Sequence, residues 1–228
     1  RGLGDVYKRQ TDSLGRDVFA RIVHGGKISL TMGFIPTIVS MGVGMLLGAC
    51  AAYFGGFIDN IIMRICDVFA CIPGVLLSMT FAAVLGSGLR NMMIAITISG
   101  IPGCIRFVRA LILNIVEADY IEAAKACGTG NFVIMIRHVL PNAVGPLVLN
   151  TVSSIAGMIM MGAGLSFLGL GIQPPQPEWG YMLSEAREFM LRAPYLFFIP
   201  GFAMLISILS LNLAGDGLRD ALDPKLRR

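Results

Sequence analysis

Long apolar runs alternate along this chain with short polar interruptions. Five runs, residues 28–54, 61–85, 92–113, 143–170 and 196–213, are close to or above the roughly 20 residues a helix needs to cross an apolar layer of about 30 Å. The pattern therefore predicts five membrane-spanning helices. Ahead of the first run, Val18, Phe19, Ile22 and Val23 recur at helical spacing, with Arg16, Asp17 and Arg21 elsewhere on the wheel. Residues 11–27 thus read as an amphipathic helix lying in the membrane interface. The longest polar interruption, residues 117–146, reads as a short helix over 120–127, a tight turn at Gly128 to Gly130 and a second helix ending before Pro141. Asn131 suits the N-cap of that second helix, and Gly128 the position just past the end of the first.

Composition turns this pattern into a class. Hydrophobic residues make up 55% of the chain and charged residues 14%, against about 25% charged in soluble domains, and the mean hydropathy is +0.75. This is an integral membrane protein, with lipid as its main solvent. The net charge of +4 is too weak and dispersed to point to nucleic acid. Cys50, Cys66, Cys71, Cys104 and Cys127 form no C-x-x-C pair and lie in or beside apolar runs, so they read as small buried hydrophobes before metal or redox ligands. His24 and His138 share no ligand spacing.

Lysines and arginines orient the chain. With five spans, nine of them (Arg64, Arg106, Arg109, Lys125, Arg137, Arg219, Lys225, Arg227, Arg228) fall on the side of the 117–146 loop, and six (Arg16, Arg21, Lys27, Arg90, Arg187, Arg192) on the other. The loop and the tail, residues 216–228, are therefore expected in the cytoplasm, and the outer loop, residues 171–195, outside. Residues 1–10 are unlike the adjoining segment and read as a non-native leader, an exposed native tail being the alternative. Because Thr11 falls outside, a native chain would reach it most simply through one preceding span, so a missing first helix is expected.

The spans carry chemistry mainly by omission. None has a carboxylate, Lys, Arg or His near its centre, which argues against a self-powered secondary carrier or a channel with a charged ring. Arg64 and Asp67 sit one turn apart and could pair at the membrane edge, while Arg106 and Arg109 are expected to snorkel. Pro36, Pro73, Pro102 and Pro200 predict kinks that shape a cavity or reflect only the frequency of proline in such helices. In the fourth span, Ser153 with Gly157, and Met160 with Gly164, are four apart, which suits close helix packing. Asn150, Thr151, Ser153 and Ser154 give its inner half a polar flank that could instead line a wet pathway, as could Ser78. Ser166 has no intramembrane histidine to activate it. Trp179 and Tyr181, on an outer loop stiffened by Pro174, Pro175 and Pro177, either anchor at the interface or shape the outer mouth, and residues 180–191 read as amphipathic helix.

A chain with no energy source of its own and a structured cytoplasmic loop suggests an external motor. Ala123, Ala124 and Ala126 keep the first loop helix slim enough for a groove; Glu117, Asp119 and Glu122 offer acidic contacts; and Phe132, Ile134, Met135 and Ile136 are expected to root the second helix. The order Glu122-Ala123-Ala124, three residues, Gly128, nine residues, His138-Val139-Leu140-Pro141 resembles the E-A-A-x3-G-x9-I-x-L-P loop of bacterial ABC-importer permeases, with His138 at the usual Ile position. Thr11-Asp12, Leu14-Gly15-Arg16-Asp17 and Ser29-Leu30 resemble the entry motif of the dipeptide/oligopeptide/nickel branch. Residues 165–171 with Gln173-Pro174-Pro175, Pro177 and Trp179-Gly180 resemble its outer loop, and Asn212-Leu213, Gly215-Asp216, Leu218-Arg219-Asp220 and Leu222-Asp223-Pro224 its C-terminus. The likeness covers residues 11–228 and is greatest to the C-type, second permease subunit. Many relatives have glutamate where Gly162 aligns, so no role for that carboxylate carries over.

The resemblance implies an all-α polytopic protein of the type I ABC-importer permease fold, with residues 28–215 as the transmembrane domain in a bacterial inner membrane. It implies half of a translocation pore for di- or oligopeptides, with nickel or another small solute second, and a self-sufficient carrier or channel as the reading from a different class. The implied partners are a second permease subunit in a heterodimer, two ATPase subunits holding ATP and Mg, an extracytoplasmic substrate-binding protein and membrane lipid. The chain itself would bind no cofactor and catalyse no covalent chemistry. Coupling would fall on Glu117, Asp119, Tyr120, Glu122, Ala123, Ala124, Gly128, Arg137, His138, Leu140 and Pro141.

Overall fold

The computed structural model describes residues 11–222, Ser13 excepted; the expected leader at 1–10 and the end of the tail at 223–228 lie outside the described residues. Helix α1, Val18–Phe54, is one 37-residue helix. The expected interfacial helix is therefore the first turns of the first span, because nothing between residues 27 and 28 interrupts the backbone ladder. Asp17 starts it by accepting from the Phe19 and Ala20 amides at 2.8 and 3.1 Å, which satisfies two donors left over at a helix N-terminus. Pro36 lies inside without breaking it.

The second run is broken. Helices α2, Gly56–Ala70, and α3, Gly74–Leu85, meet at 82° across residues 71–73. Pro73 has no amide hydrogen to continue the ladder and pushes Ile72 out of helical conformation. The expected kink is thus a break, and α3, about 18 Å long at 1.5 Å per residue, is too short to cross alone. The bent pair still carries the chain across. The inner end of α1 is tied to the 117–146 loop by Tyr53 Oη donating to Asn131 Oδ1 at 2.9 Å. The Gly88 amide, beyond α3, donates instead to the Gly171 carbonyl of the outer loop at 3.3 Å.

Helix α4, Leu89–Val116, returns to the inner side. Asp67 pairs with Arg106 at 2.9 Å, not with Arg64, and Asp59 takes both Nε and Nη2 of Arg109 at 2.5 and 2.6 Å. The α4 arginines are therefore neutralised by α2 rather than snorkelling unpaired, because α2 crosses α4 with its acids turned toward it. Among the described residues four helices are long and apolar enough to cross a membrane, five with the bent pair taken as one span.

After a short helix α5, Asp119–Ala126, the chain enters α6, which runs from Asn131 to Phe167. It then passes through the outer loop to α7, Trp179–Ala186, a 3-10 turn at Arg187–Phe189, and α8, Tyr195–Leu222. The helix expected over 180–191 thus ends early. The last helix does not stop where its apolar run does, at residue 213: α8 continues into the expected tail to Leu222, with Gly215 facing Val152 of α6.

α1 is the hub, and glycines seat its neighbours. A Cβ on Gly44 would lie 2.6 Å from Cys104 Cβ, one on Gly48 2.7 Å from the Ile105 carbonyl oxygen, and one on Gly33 2.4 Å from Ile159. The expected close packing at Gly157 and Gly164 does not occur within the chain, since a Cβ at either would meet nothing within 4 Å. Gly48→Ala, which presses on α4 backbone, is expected to destabilise by about 1–3 kcal/mol as other overpacked positions do. Gly42→Ala, open on all sides, is expected to be neutral or slightly stabilising through helix propensity. Thermal melting of the two purified variants in detergent separates the outcomes.

Candidate coupling site

α5 follows α4 after only Glu117 and Ala118. Asp119 and Glu122 in its first turn and Lys125 in its last complement the helix dipole. The helix closes with paired bonds past its end: the Gly128 amide donates to the Lys125 carbonyl at 2.9 Å and the Thr129 amide to the Ala124 carbonyl at 3.1 Å. That closure needs a left-handed residue, and Gly128 supplies it at φ 76°. Gly128 therefore sits where its place after a short helix predicts. Asn131 does not cap the next helix: Gly130 holds that position, and the Asn131 side chain is taken by Tyr53.

One residue roots α5. Ile121 is fully buried, joining Val108, Ile112, Ile134, Val139 and Ala143 in the core between α1, α4 and α6. Ala124 is half-buried against the same cluster. Glu117, Asp119, Tyr120, Glu122, Ala123 and Gly128 are exposed. Of the four apolar residues expected to root the second segment, Ile134 is buried and Met135 half-buried against the same cluster. Phe132 and Ile136 point outward, 76% and 49% exposed, and with Val133, Arg137 and Pro141 line an apolar groove.

Pro141 does not end this segment. Residues Met135–Val139 widen into a π-helical turn, in which the Leu140 amide donates to the Met135 carbonyl, and α6 continues. The wider turn spares the proline ring a clash with the preceding turn. The Asn142 side-chain amide then donates to the His138 carbonyl at 2.7 Å. His138 and Leu140 are half-buried, whereas Arg137 and Pro141 are exposed.

The polar positions expected along a pathway separate. Ser78 is buried, bonded to the Gly74 carbonyl at 2.9 Å and to Ser99 Oγ at 2.6 Å, so its hydroxyl is spent between α3 and α4. Ser154 Oγ donates to Asn150 Oδ1 at 3.4 Å and Thr151 to the Leu147 carbonyl at 2.7 Å, while Ser153 is exposed. Ser153, Gly157, Met160 and Gly164 form an open stripe on α6.

The outer loop differs most from expectation. Trp179 is 5% exposed; its Nε1 donates to the Ile22 carbonyl at 3.0 Å, and its ring lies where a Cβ on Gly26 would stand. It fastens the loop to α1 and is not an interfacial anchor. Tyr181 is half-buried. Beside Trp179 is Glu178, which sequence reasoning missed although it directly precedes a helix start. Fully buried, it caps α7 by accepting from the Gly180 and Tyr181 amides, each at 2.8 Å, and from Ser29 Oγ at 3.2 Å. Burial pushes its carboxyl up from the ordinary range, against these bonds and that of Ser166. Farther out, Arg16 and Arg21 both bridge Asp12 and Glu185. Burial would raise the Asp12 carboxyl, but the Arg16 and Leu14 amides and the two guanidinium groups outweigh it and hold the group low.

This arrangement has known counterparts. Residues 42–228 match the family described as binding-protein-dependent transport system inner membrane component. The chain belongs to that family. It is 47% identical over 216 residues to the glutathione transport system permease protein GsiD of Pectobacterium atrosepticum, covering 95% of this chain and 72% of that one. It is 42% identical over 217 residues to the di/tripeptide transport system permease protein DppC of Pseudomonas aeruginosa, covering 95% and 72%. The inward-facing MetNI methionine ABC transporter shares the fold at a TM-score of 0.75 and 19% identity, covering 90% of this chain and 97% of that one. The protein is thus a permease subunit of the inner membrane with the fold of ABC-importer permeases, as the resemblance implied. Its Gly162 is enclosed by Met32 and Ile96, which leaves no room for a glutamate side chain without displacing them.

Two outcomes are expected at the outer loop of this permease. Glu178→Ala leaves several buried donors unpaired and is expected to cost about 1–2 kcal/mol or more, read as a lower melting midpoint and faster proteolysis between residues 171 and 195. The low folded-state pKa of Asp12 means its contribution is fully present above the ordinary value of 3.8 and fades as pH falls below it. Wild type should therefore lose its margin of stability over Asp12→Asn when melted at pH 3 rather than pH 6.

Proposed function

We propose that this permease forms half of the translocation pore of an ATP-driven importer for short peptides, beside a second, unlike permease subunit. The observation that carries the reading is α5: a slim, acidic helix, exposed on all sides but one and rooted through Ile121 in the core of the spans. Such a helix fits a groove on a partner, and its root makes movement there felt by α1, α4 and α6. The groove-lining Phe132, Val133 and Ile136 extend the contact surface.

In this reading two ATPase subunits hold ATP and Mg, and closing of the ATPases displaces α5 and switches the pore from inward to outward facing. An extracytoplasmic binding protein delivers the peptide. Neither nucleotide nor covalent chemistry falls to this chain. The open stripe of Ser153, Gly157, Met160 and Gly164 on α6, with Asn150, Thr151 and Ser154 near its inner end, is the candidate pore or subunit face. Peptides stand ahead of nickel because the relatives GsiD and DppC are named for glutathione and di/tripeptides.

The test uses the assembled importer in proteoliposomes with its binding protein. Glu122→Lys reverses an exposed charge, and Gly128→Val places a branched residue at φ 76°, a conformation costing about 1–2 kcal/mol for side-chain-bearing residues. Each is expected to lower ATP-driven dipeptide uptake about ten-fold or more while membrane insertion stays normal. Uptake at wild-type rates in both variants, or transport by this chain without ATPases, would sink the reading.

A further inference from the structure

α2 is held in place by charge more than by apolar packing. Of its 15 residues only Cys66 is buried. Phe57, Ile61, Ile65 and Val68 form a stripe on its outward side, all exposed. On the side turned to α4, Asp59 grips Arg109 through two parallel bonds of 2.5 and 2.6 Å, and Asp67 meets Arg106 at 2.9 Å. Paired bonds of this kind fix orientation as well as distance. The two acids are about 12 Å apart along α2 and the two arginines about 4.5 Å apart along α4, so the pairs set the crossing of the helices and resist sliding.

α3 is tied to the same helix, through Ser78 and Ser99 at 2.6 Å. Both arms of the elbow at residues 71–73 are therefore fastened to α4. α4 in turn passes into α5 through Glu117 and Ala118 alone. We propose that Arg106 and Arg109 are positioning residues that yoke the α2–α3 elbow to α4, so that displacement entering at α5 moves the elbow and α4 as one body. A mobile gate at the elbow would need these pairs to part in every cycle, and the half-buried Asp59–Arg109 pair would lose two parallel charge-assisted bonds each time. The proposal rests on α5 being where the ATPase acts.

The experiment is uptake per ATP hydrolysed by the complete importer with its binding protein. Arg109→Gln and Asp59→Asn are each expected to lower that ratio about five-fold while ATP hydrolysis continues, and the exchanged pair D59R/R109D to restore most of it. Normal ratios in the single variants overturn the yoke. So does failure of the single variants to assemble without recovery in the exchange, since the pair would then serve only folding. A second measurement replaces Asp59 and Arg109 by cysteine, with Cys50, Cys71 and Cys127 changed to serine, and joins them with a reducible bifunctional thiol reagent. Uptake that persists across the link supports a single body. Uptake lost on linking and regained on reduction means that the elbow moves against α4, and the proposal falls. A wild-type importer that hydrolyses no ATP in response to its binding protein would instead remove the reading of α5.

Discussion

The close approach of α1 and α4 is the contact on which the remainder depends. Gly44 and Gly48 let the α4 backbone lie against α1 where any side chain would hold it off. Close backbone approach through small residues is a common way for helices to associate in lipid, where burial of apolar surface gives no advantage over exposure to hydrocarbon chains. With α4 seated, Val108 and Ile112 become the floor on which Ile121 and Ile134 stand, and Arg106 and Arg109 fall within reach of α2. Both the seat of α5 and the elbow are consequences of where α4 sits.

Lipid also explains how the irregular stretches are tolerated. A backbone group left unpaired in hydrocarbon is expensive, so each interruption comes with a substitute partner. At the elbow, the Ile72 amide finds the Phe69 carbonyl at 3.3 Å and Cys71 that of Asp67 at 3.1 Å. Among the described residues, no buried side-chain polar atom lacks a partner.

The spans and the turn at Gly128 are legible in the sequence because their signals are local. Apolar length gives a crossing, and Gly128 gives a left-handed residue after a short helix. The readings that fail are those in which a residue's partner lies far along the chain. Spacing matches Asp67 to Arg64, one turn away, yet Arg106 is brought closer by the crossing of α2 and α4. Composition favours Trp179 as an interfacial aromatic, but its ring is claimed by Gly26, more than 150 residues away. Pro141 reads as a helix end because nothing in the sequence announces a π turn. Glu178 escapes notice since an acid in a loop ordinarily faces water, and only the tertiary fold supplies Ser29 and Ser166.

The two ends of the molecule are built in opposite ways, and the difference bears on how it works. Outside, the loop is fastened by a buried carboxylate, an indole bond to α1 and a four-member ion network, so that α1, α7 and the loop form one stiff cap. Inside, α5 is fastened by Ile121 and a two-residue connection, with its acids turned to solvent. A stiff outer end and a narrowly rooted inner end suit the drive from within proposed above, in which a displacement applied at α5 would pass into α4 through Glu117 and Ala118. Were the outer loop as loosely held as α5, the same push would be spent in deforming it, and the spans between would have no fixed point to turn against.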